Sequence, residues 1–262
     1  MNEVATTFVP SNDDLLGVFN RKYRRNGELD WGPRLRLENG YFSPDDHYEA
    51  LVEGLVREGI DWVDIGCGRD IFPSNRELAE RLAGKTNILF GIDPDPNILE
   101  NTMLNQRFHG PVEDCPTELT FDVATLRMVA EHIVDPHRAV ARMARLLKPG
   151  GYLVIYTPYK WSPMSLIATA LPFALHHPLK KLIWDAQAKD TFPTTYRMNT
   201  RRDLLAVTSS VGLQEVHFEL LDDCRVLGRY RFLNWCELKL RRALKWINAG
   251  YPEKCILCVY QK

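Results

Sequence analysis

Val63-Asp64-Ile65-Gly66-Cys67-Gly68-Arg69-Asp70 follows Gly59-Ile60-Asp61-Trp62, so an apolar run of strand length closes on an acid and a glycine turn. Asn75 to Ala83 then reads as a helix, with Glu77, Leu78, Leu82 and Ala83 as good formers. Strand, glycine turn and helix form a loop that lets a ligand reach the backbone at a helix N-terminus. A dinucleotide-binding loop needs G-x-G-x-x-G, and position 71 is Ile, so that fingerprint fails. What remains is acid-x-G-x-G, with the carboxylate of Asp64 at the strand's end.

Downstream the same plan repeats. Asn87-Ile-Leu-Phe-Gly-Ile-Asp93 reads as a second strand ending in an acid, and a carboxylate there can accept both hydroxyl hydrogens of a ribose. Pro94, Asp95 and Pro96 start a helix toward Leu104. Val112-Glu113-Asp114-Cys115-Pro116 follows a third strand, and Phe121-Asp122-Val123-Ala124-Thr125-Leu126 is a fourth. Asp135-Pro136 opens a helix with Ala139, Val140, Met143, Leu146 and Leu147 at helical spacing. Lys148-Pro149-Gly150-Gly151 stops it, and Tyr152 to Tyr156 is the next strand. An acidic helix cap with no ligand would account for any one of these Asp residues; two acids at successive strand ends are harder to dismiss.

The stretch VDIGCGRD resembles motif I of the class I S-adenosylmethionine-dependent methyltransferases. FDVATLRMVAEHIVDPHRAVARMARLLKPGGYLVIYTP resembles the F-D-x-V … E-H … D-P … L-L-K-P-G-G-x-L-x-I-x-T-P run of small-molecule members of that family, and together the likeness covers residues 60–158. It implies a doubly wound, Rossmann-like α/β sheet of seven strands with an antiparallel last strand, and S-adenosyl-L-methionine as cofactor. By the same likeness, Asp64 faces the amino group of the cofactor's methionine end, and Asp114 and the next N–H, of Cys115, meet the adenine. The implied cofactor contacts are Asp64, Gly66, Cys67, Gly68, Asp93, Pro94, Asp114, Cys115 and Arg127. The family usually has a third glycine where this chain has Asp70, a side chain that narrows the cleft or caps the following helix.

Glu131 and His132 are the candidates for chemistry. In the related ubiquinone-pathway O-methyltransferases an E-H pair joins an acid three residues earlier to hold a metal. That position is Met128 here, so no metal is expected. His132 can take a proton from a substrate hydroxyl, since an unperturbed imidazole titrates near neutrality. The alternative is that the pair only orders its loop.

The organisation expected is a single domain over 1–262. Residues 1–48 form an N-terminal cap segment, 60–158 the cofactor core, 159–199 a lid or substrate insertion, and 200–262 a helix, strands and a basic amphipathic insertion. Ser43-Pro44-Asp45-Asp46 starts a helix running to Gly59. Trp161 to Leu175 is apolar but broken by prolines, and suits a lid, a dimer face or a surface dipping into lipid. In the loop from Asp190 to Thr200, Tyr196 and Arg197 are read as substrate contacts, with Tyr159 beside them. Thr200 caps a helix, and strands follow over Leu213–Leu221 and 255–260. Between them, 225–248 is basic and rich in Trp, Leu and Phe. Such a helix lies on an anionic membrane, binds an acidic partner, or packs its apolar face on its own domain; the last is the reading preferred here.

Bulk properties bound the partners. With 262 residues, 45% hydrophobic and 26% charged, the chain is of globular type, and its net charge of −1 gives no global pull toward nucleic acid. No N-P-P-Y-like motif follows the fourth strand, which also counts against an RNA or DNA methyltransferase. The start carries Glu3, Asp13 and Asp14 and does not read as a signal peptide. Six scattered cysteines suit reduced thiols and a cytoplasmic setting, and Cys255 and Cys258 read as buried strand residues on opposite faces. The expected function is methyl transfer to a small molecule, on a hydroxyl or a lipid- or glycan-linked group, with peripheral membrane contact an open option. A catalytically silent methyltransferase-like binding module is the rival. Acceptor, pathway and oligomeric state are not legible.

Overall fold

Ser11 and Ser43 open two helices by the same device. Each side chain accepts the N–H three residues on while Asp14 or Asp46 accepts back from the serine N–H, giving α1 (Asn12–Tyr23) and α3 (Pro44–Leu55). Between them lie a short hairpin, β1 (Arg24–Arg25) with β2 (Glu28–Leu29), and α2 (Trp31–Glu38). The computed structural model describes residues 8–170 and 193–262.

The apolar run before the glycine turn is β3 (Asp61–Ile65), the centre of the main sheet. It is followed in the chain by α4 (Arg76–Ala83), β4 (Ile88–Asp93), β5 (Gln106–His109), β6 (Phe121–Arg127), α5 (Pro136–Leu146), β7 (Leu147–Pro158), α6 (Pro163–Ala170), α7 (Arg201–Ser209), β8 (Gln214–Asp222), α8 (Arg231–Trp246) and β9 (Lys254–Gln261). The strand order is β5-β4-β3-β6-β7-β9-β8, with every pairing parallel except those of β9. This is the seven-stranded, doubly wound sheet with an antiparallel last strand that the sequence implied. Ile65 pairs with Ile92 and with Leu126, so β3, β4 and β6 finish side by side, with Asp64 and Asp93 at the ends of β3 and β4 and Arg127 at the end of β6.

Alternation along each strand divides the interior into two layers. Val63 and Ile65 join one cluster with Val140, Met143 and Leu204, whereas Trp62 joins the other with Leu51, Leu78 and Leu82. Cys255 and Cys258 are buried in different layers, as their spacing required.

Several local expectations need correction. α3 stops at Leu55, short of Gly59. Asp93 leads into a 3-10 turn (Pro96–Glu100), capped by Asp95 on Asn97 N–H at 2.8 Å, where an α-helix to Leu104 was expected. Lys148-Pro149-Gly150-Gly151 belongs to β7: on one side Gly150 N–H donates to Lys262 O and Lys262 N–H to Gly151 O, and on the other the pairing with β6 continues through a register shift between Phe121 and Val123. Asp70 does not cap the helix after the glycine turn; Asn75 does, through Leu78 N–H.

The largest correction concerns 225–248. Its helix, α8, buries little of its apolar side: Leu238 and Leu244 pack on the domain, but Phe232, Leu240, Trp246 and the adjoining Ile247 are more than half exposed. The side chains it buries are Asn234, Glu237 and Leu238.

Candidate active site at the carboxyl ends of the central strands

Gly66 makes the turn possible. Its φ is +76°, and a Cβ there would lie 2.0 Å from Val129 Cγ2. Its N–H donates to Ile92 O at 2.7 Å, which hooks the loop onto β4. Gly68 then passes over Asp93, donating its N–H to Oδ2 at 2.7 Å, and a Cβ on it would sit 4.0 Å from that oxygen. Asp95 N–H donates to the other oxygen of Asp93 at 2.7 Å. Burial nevertheless pushes the Asp93 carboxyl up, against these two N–H groups.

Asp64 is more deeply set. It is 3% exposed and accepts the Thr125 hydroxyl hydrogen at 2.6 Å. Burial pushes its carboxyl up to about 7, against the Thr125 bond and the field of Arg127. Among the described residues it has no ion-pair partner. A buried carboxylate without a cation, beside a backbone turn that only glycine can make, suits a ligand bringing a positive charge. Asp93, at the end of the neighbouring strand, suits that ligand's hydroxyls.

Arg127 lies at the end of β6, but its guanidinium is committed to Asp45, with Nη2 at 2.9 Å and Nε at 3.2 Å. Arg225 closes on the other oxygen of Asp45 and also donates to Asp223 at 2.6 Å and to the Tyr156 hydroxyl at 3.0 Å. Burial works against the Asp45 carboxylate, yet Arg225 and Arg127 hold it well below the usual range. Tyr48 stacks on Tyr156 with ring centres 5.4 Å apart and is fully buried. Sequence reasoning missed Asp45, Tyr48, Thr125 and Arg225. Asp45 looks like any first-turn acid, and its partner Arg225 is 180 residues away.

Glu131 is buried, and its Oε2 accepts from Thr157 Oγ1 at 2.8 Å; Asn199 Nδ2 donates to that same hydroxyl at 2.7 Å. Burial pushes Glu131 up, partly offset by His132. The Glu131 carbonyl accepts from Thr195 and Tyr196 N–H at 2.7 and 3.2 Å. His132 is half-buried, with Nδ1 3.0 Å from Pro193 O and Nε2 3.9 Å from Glu131 Oε1. The E-H turn thus holds the loop that carries Tyr196 and Arg197. Tyr196 is buried at φ +49°, while the exposed Arg197 donates to Val134 O at 2.7 Å. Met128, in place of a third acid, also has a positive φ, +55°. Among the described residues, no three His, Cys, Asp or Glu side chains gather where they could hold a metal ion.

Pro94 is exposed, with its carbonyl 3.0 Å from His109 Nε2. Asp114 is exposed and pairs with Arg138 at 3.1 Å, and the Cys115 N–H donates to Val112 O at 3.2 Å within its own turn. Cys67 is buried against the sheet, and burial pushes its thiol up. Tyr159 packs beside the core, its N–H on Lys254 O at 3.1 Å. The apolar stretch expected from Trp161 is described only as far as Ala170, and 171–192 lie outside the described residues.

Comparison with known proteins agrees with this geometry. The profile of a family described as a methyltransferase domain matches residues 43–217. Curated relatives include the ubiquinone biosynthesis O-methyltransferase of Coxiella burnetii, 25% identical over 136 residues, covering 48% of this chain and 56% of that protein. An uncharacterized methyltransferase of Mycobacterium tuberculosis is 29% identical over 121 residues, covering 42% of this chain and 57% of that protein. The chain therefore spans just over half the length of these relatives. Among solved structures, a putative methyltransferase of Bacillus halodurans superposes with a TM-score of 0.51 at 15% identity, covering 82% of this chain and 97% of that one. The [4+2]-cyclase SpnF gives 0.50 at 15% identity, covering 95% and 93%, so the fold alone does not fix the reaction. The glycine turn and its two acids meet the requirements of S-adenosyl-L-methionine, the cofactor that family membership implies: the chain belongs to the class I S-adenosylmethionine-dependent methyltransferases.

Proposed function

We propose that the protein methylates a small-molecule acceptor, with a hydroxyl oxygen as the accepting atom. The observation that supports the methyl-donor side of this reading is the placement of Asp64 and Asp93 at the ends of neighbouring strands around the Gly66–Gly68 turn. Bound S-adenosylmethionine supplies a methyl group already activated on a sulfonium. The protein's part is positioning and exclusion of water. Asp64 binds the cofactor's ammonium and so recovers the free energy of its own desolvation, and Asp93 accepts from the ribose hydroxyls. The name of the Coxiella relative, an O-methyltransferase, favours oxygen over nitrogen as the acceptor.

His132 is the base in this reading. The group facing Nδ1 is a carbonyl oxygen, which can only accept, so Nδ1 carries the hydrogen. In that tautomer Nε2, 3.9 Å from Glu131 Oε1, is the basic nitrogen of the ring and the atom that would take the proton of an acceptor hydroxyl. Glu131, held by Thr157, keeps the turn in place and favours the imidazolium that forms.

Calorimetric titration with S-adenosylmethionine, its demethylated product and NAD tests the site. Binding of the first two, absent for NAD and lost in Asp93→Ala, is expected. Formation of the demethylated product with a screen of phenols and alcohols then tests the reaction. Tight binding with no turnover on any acceptor would favour a silent binding module instead.

A further inference from the structure

α8 turns only part of its apolar surface toward its domain: Leu238 and Leu244 pack in a small cluster with Tyr41, Cys224 and Tyr251. The rest of its inward face is polar. Asn234 and Glu237 are buried there, and Glu237 accepts from the Tyr251 hydroxyl at 2.9 Å and from Asn234 Nδ2 at 3.2 Å. Asn234 also donates to Cys224 O at 3.3 Å. Arg241 donates to Asp222 at 2.9 Å and stacks 5.0 Å from the Tyr41 ring. These bonds fix the rotation of the helix about its axis. At 100° per residue, Phe232, Trp235, Lys239 and Trp246 then fall on the opposite side, with Leu240 and Ile247 flanking them. Phe232 is 70% exposed and Trp246 87%.

The charge on this stretch has one sign. Arg229, Arg231, Lys239, Arg242 and Lys245 are exposed, whereas the acid of the helix, Glu237, is buried and satisfied. Beside the helix, Trp31, Arg34 and Glu38 of α2 line a groove with Arg231, Phe232 and Trp235. Aromatic rings outward, cations around them and a polar inner face tied to the domain are the features of a helix lying in a bilayer interface. No described helix is long and apolar enough to cross a membrane, so this one would lie along the surface.

We infer that the outer face of α8 docks the protein on an anionic phospholipid surface, with Phe232, Trp235 and Trp246 entering the headgroup layer and the flanking Arg and Lys side chains meeting lipid phosphates. A soluble acidic partner would satisfy the cations but leave Trp246 and Ile247 in water. A bilayer interface takes both at once.

Co-sedimentation of the full chain tests this with vesicles of phosphatidylglycerol mixed with phosphatidylcholine, and with phosphatidylcholine alone, at low and high salt. Binding to the anionic vesicles that weakens with salt is expected. Phe232→Glu with Trp246→Glu should abolish it, and Lys239→Ala or Arg242→Ala should each weaken it by about fivefold. All these side chains are exposed, so unchanged melting temperature and cofactor affinity would show that the variants are folded. Absence of binding to anionic vesicles at low salt overturns the proposal. So does equal binding by the Phe232→Glu, Trp246→Glu variant. A dimer in sedimentation velocity that this variant dissociates would also overturn it, assigning the face to a second copy of the chain.

Discussion

Thr125 on β6 donates its hydroxyl hydrogen to Asp64 on β3 at 2.6 Å, while its oxygen accepts the indole hydrogen of the fully buried Trp62 at 2.7 Å. One hydroxyl thus joins the site's deepest acid to the core beneath it. Thr125→Val keeps the shape but leaves the indole N–H without an acceptor. A loss of about 1–3 kcal/mol in urea unfolding is expected, whereas Thr125→Ser should retain most of the stability.

Asp64 should make cofactor binding depend on pH. Its carboxyl titrates at about 7 in the folded protein, far above an unfolded carboxyl. The folded state therefore holds more protons between about pH 4 and 7, and the group's contribution to stability, present at low pH, is lost as pH rises through 7. A cationic ligand needs the ionised form, so calorimetric affinity for S-adenosylmethionine should fall as pH drops below 7. Asp64→Asn should weaken binding and remove that slope.

Gly66→Ala should prevent the turn from closing. The backbone has φ +76° and the added methyl would fall 2.0 Å from Val129 Cγ2. Strain of this kind costs about 1–3 kcal/mol before the collision is counted. Melting temperature and cofactor affinity should both drop. Val129→Ala in the same chain should restore part of the stability by removing the collision, while the positive φ persists.

The strand–helix alternation and the two acids were legible because they depend on local signals: apolar runs of strand length, glycines after an acid, and helix starts such as Ser43-Pro44 and Asp135-Pro136. The seven-stranded sheet came with the family resemblance, and its strand order came from the structure. The ionic cluster around Asp45 was not. Its members lie on α3, β6 and the loop after β8, and nothing near Asp45 announces Arg225. The orientation of α8 escaped for another reason. Periodicity shows that a helix has an apolar side, and the usual rule turns that side inward. Here Asn234, Glu237 and Arg241 have partners on the domain and share the inward face with Leu238 and Leu244, which leaves the aromatic residues outside.

Asp45 should govern acid stability. Held between Arg127 and Arg225, its carboxyl titrates below the unfolded value, so it stabilises the fold above about pH 4 and the contribution is lost as pH falls below that. Asp45→Asn leaves two guanidiniums facing a neutral amide, and breaking a buried pair in this way costs about 3–5 kcal/mol. Urea unfolding at pH 7 should show that loss, and the variant's stability should vary less than the wild type's between pH 4 and 2.5.

His132 separates a base from a loop anchor. If Nε2 takes the proton from an acceptor hydroxyl, His132→Ala should lower kcat by about 10²–10⁴ with cofactor affinity unchanged. If the ring only holds Pro193 and the loop carrying Tyr196, the loss should appear in the KM for the acceptor. His132→Gln sharpens the choice, because its amide can still donate to the Pro193 carbonyl but cannot accept a proton near neutrality. A Gln variant with near wild-type turnover would leave the turn with a positioning role and move the search for a base to the acceptor itself, as with a phenol already ionised at the working pH.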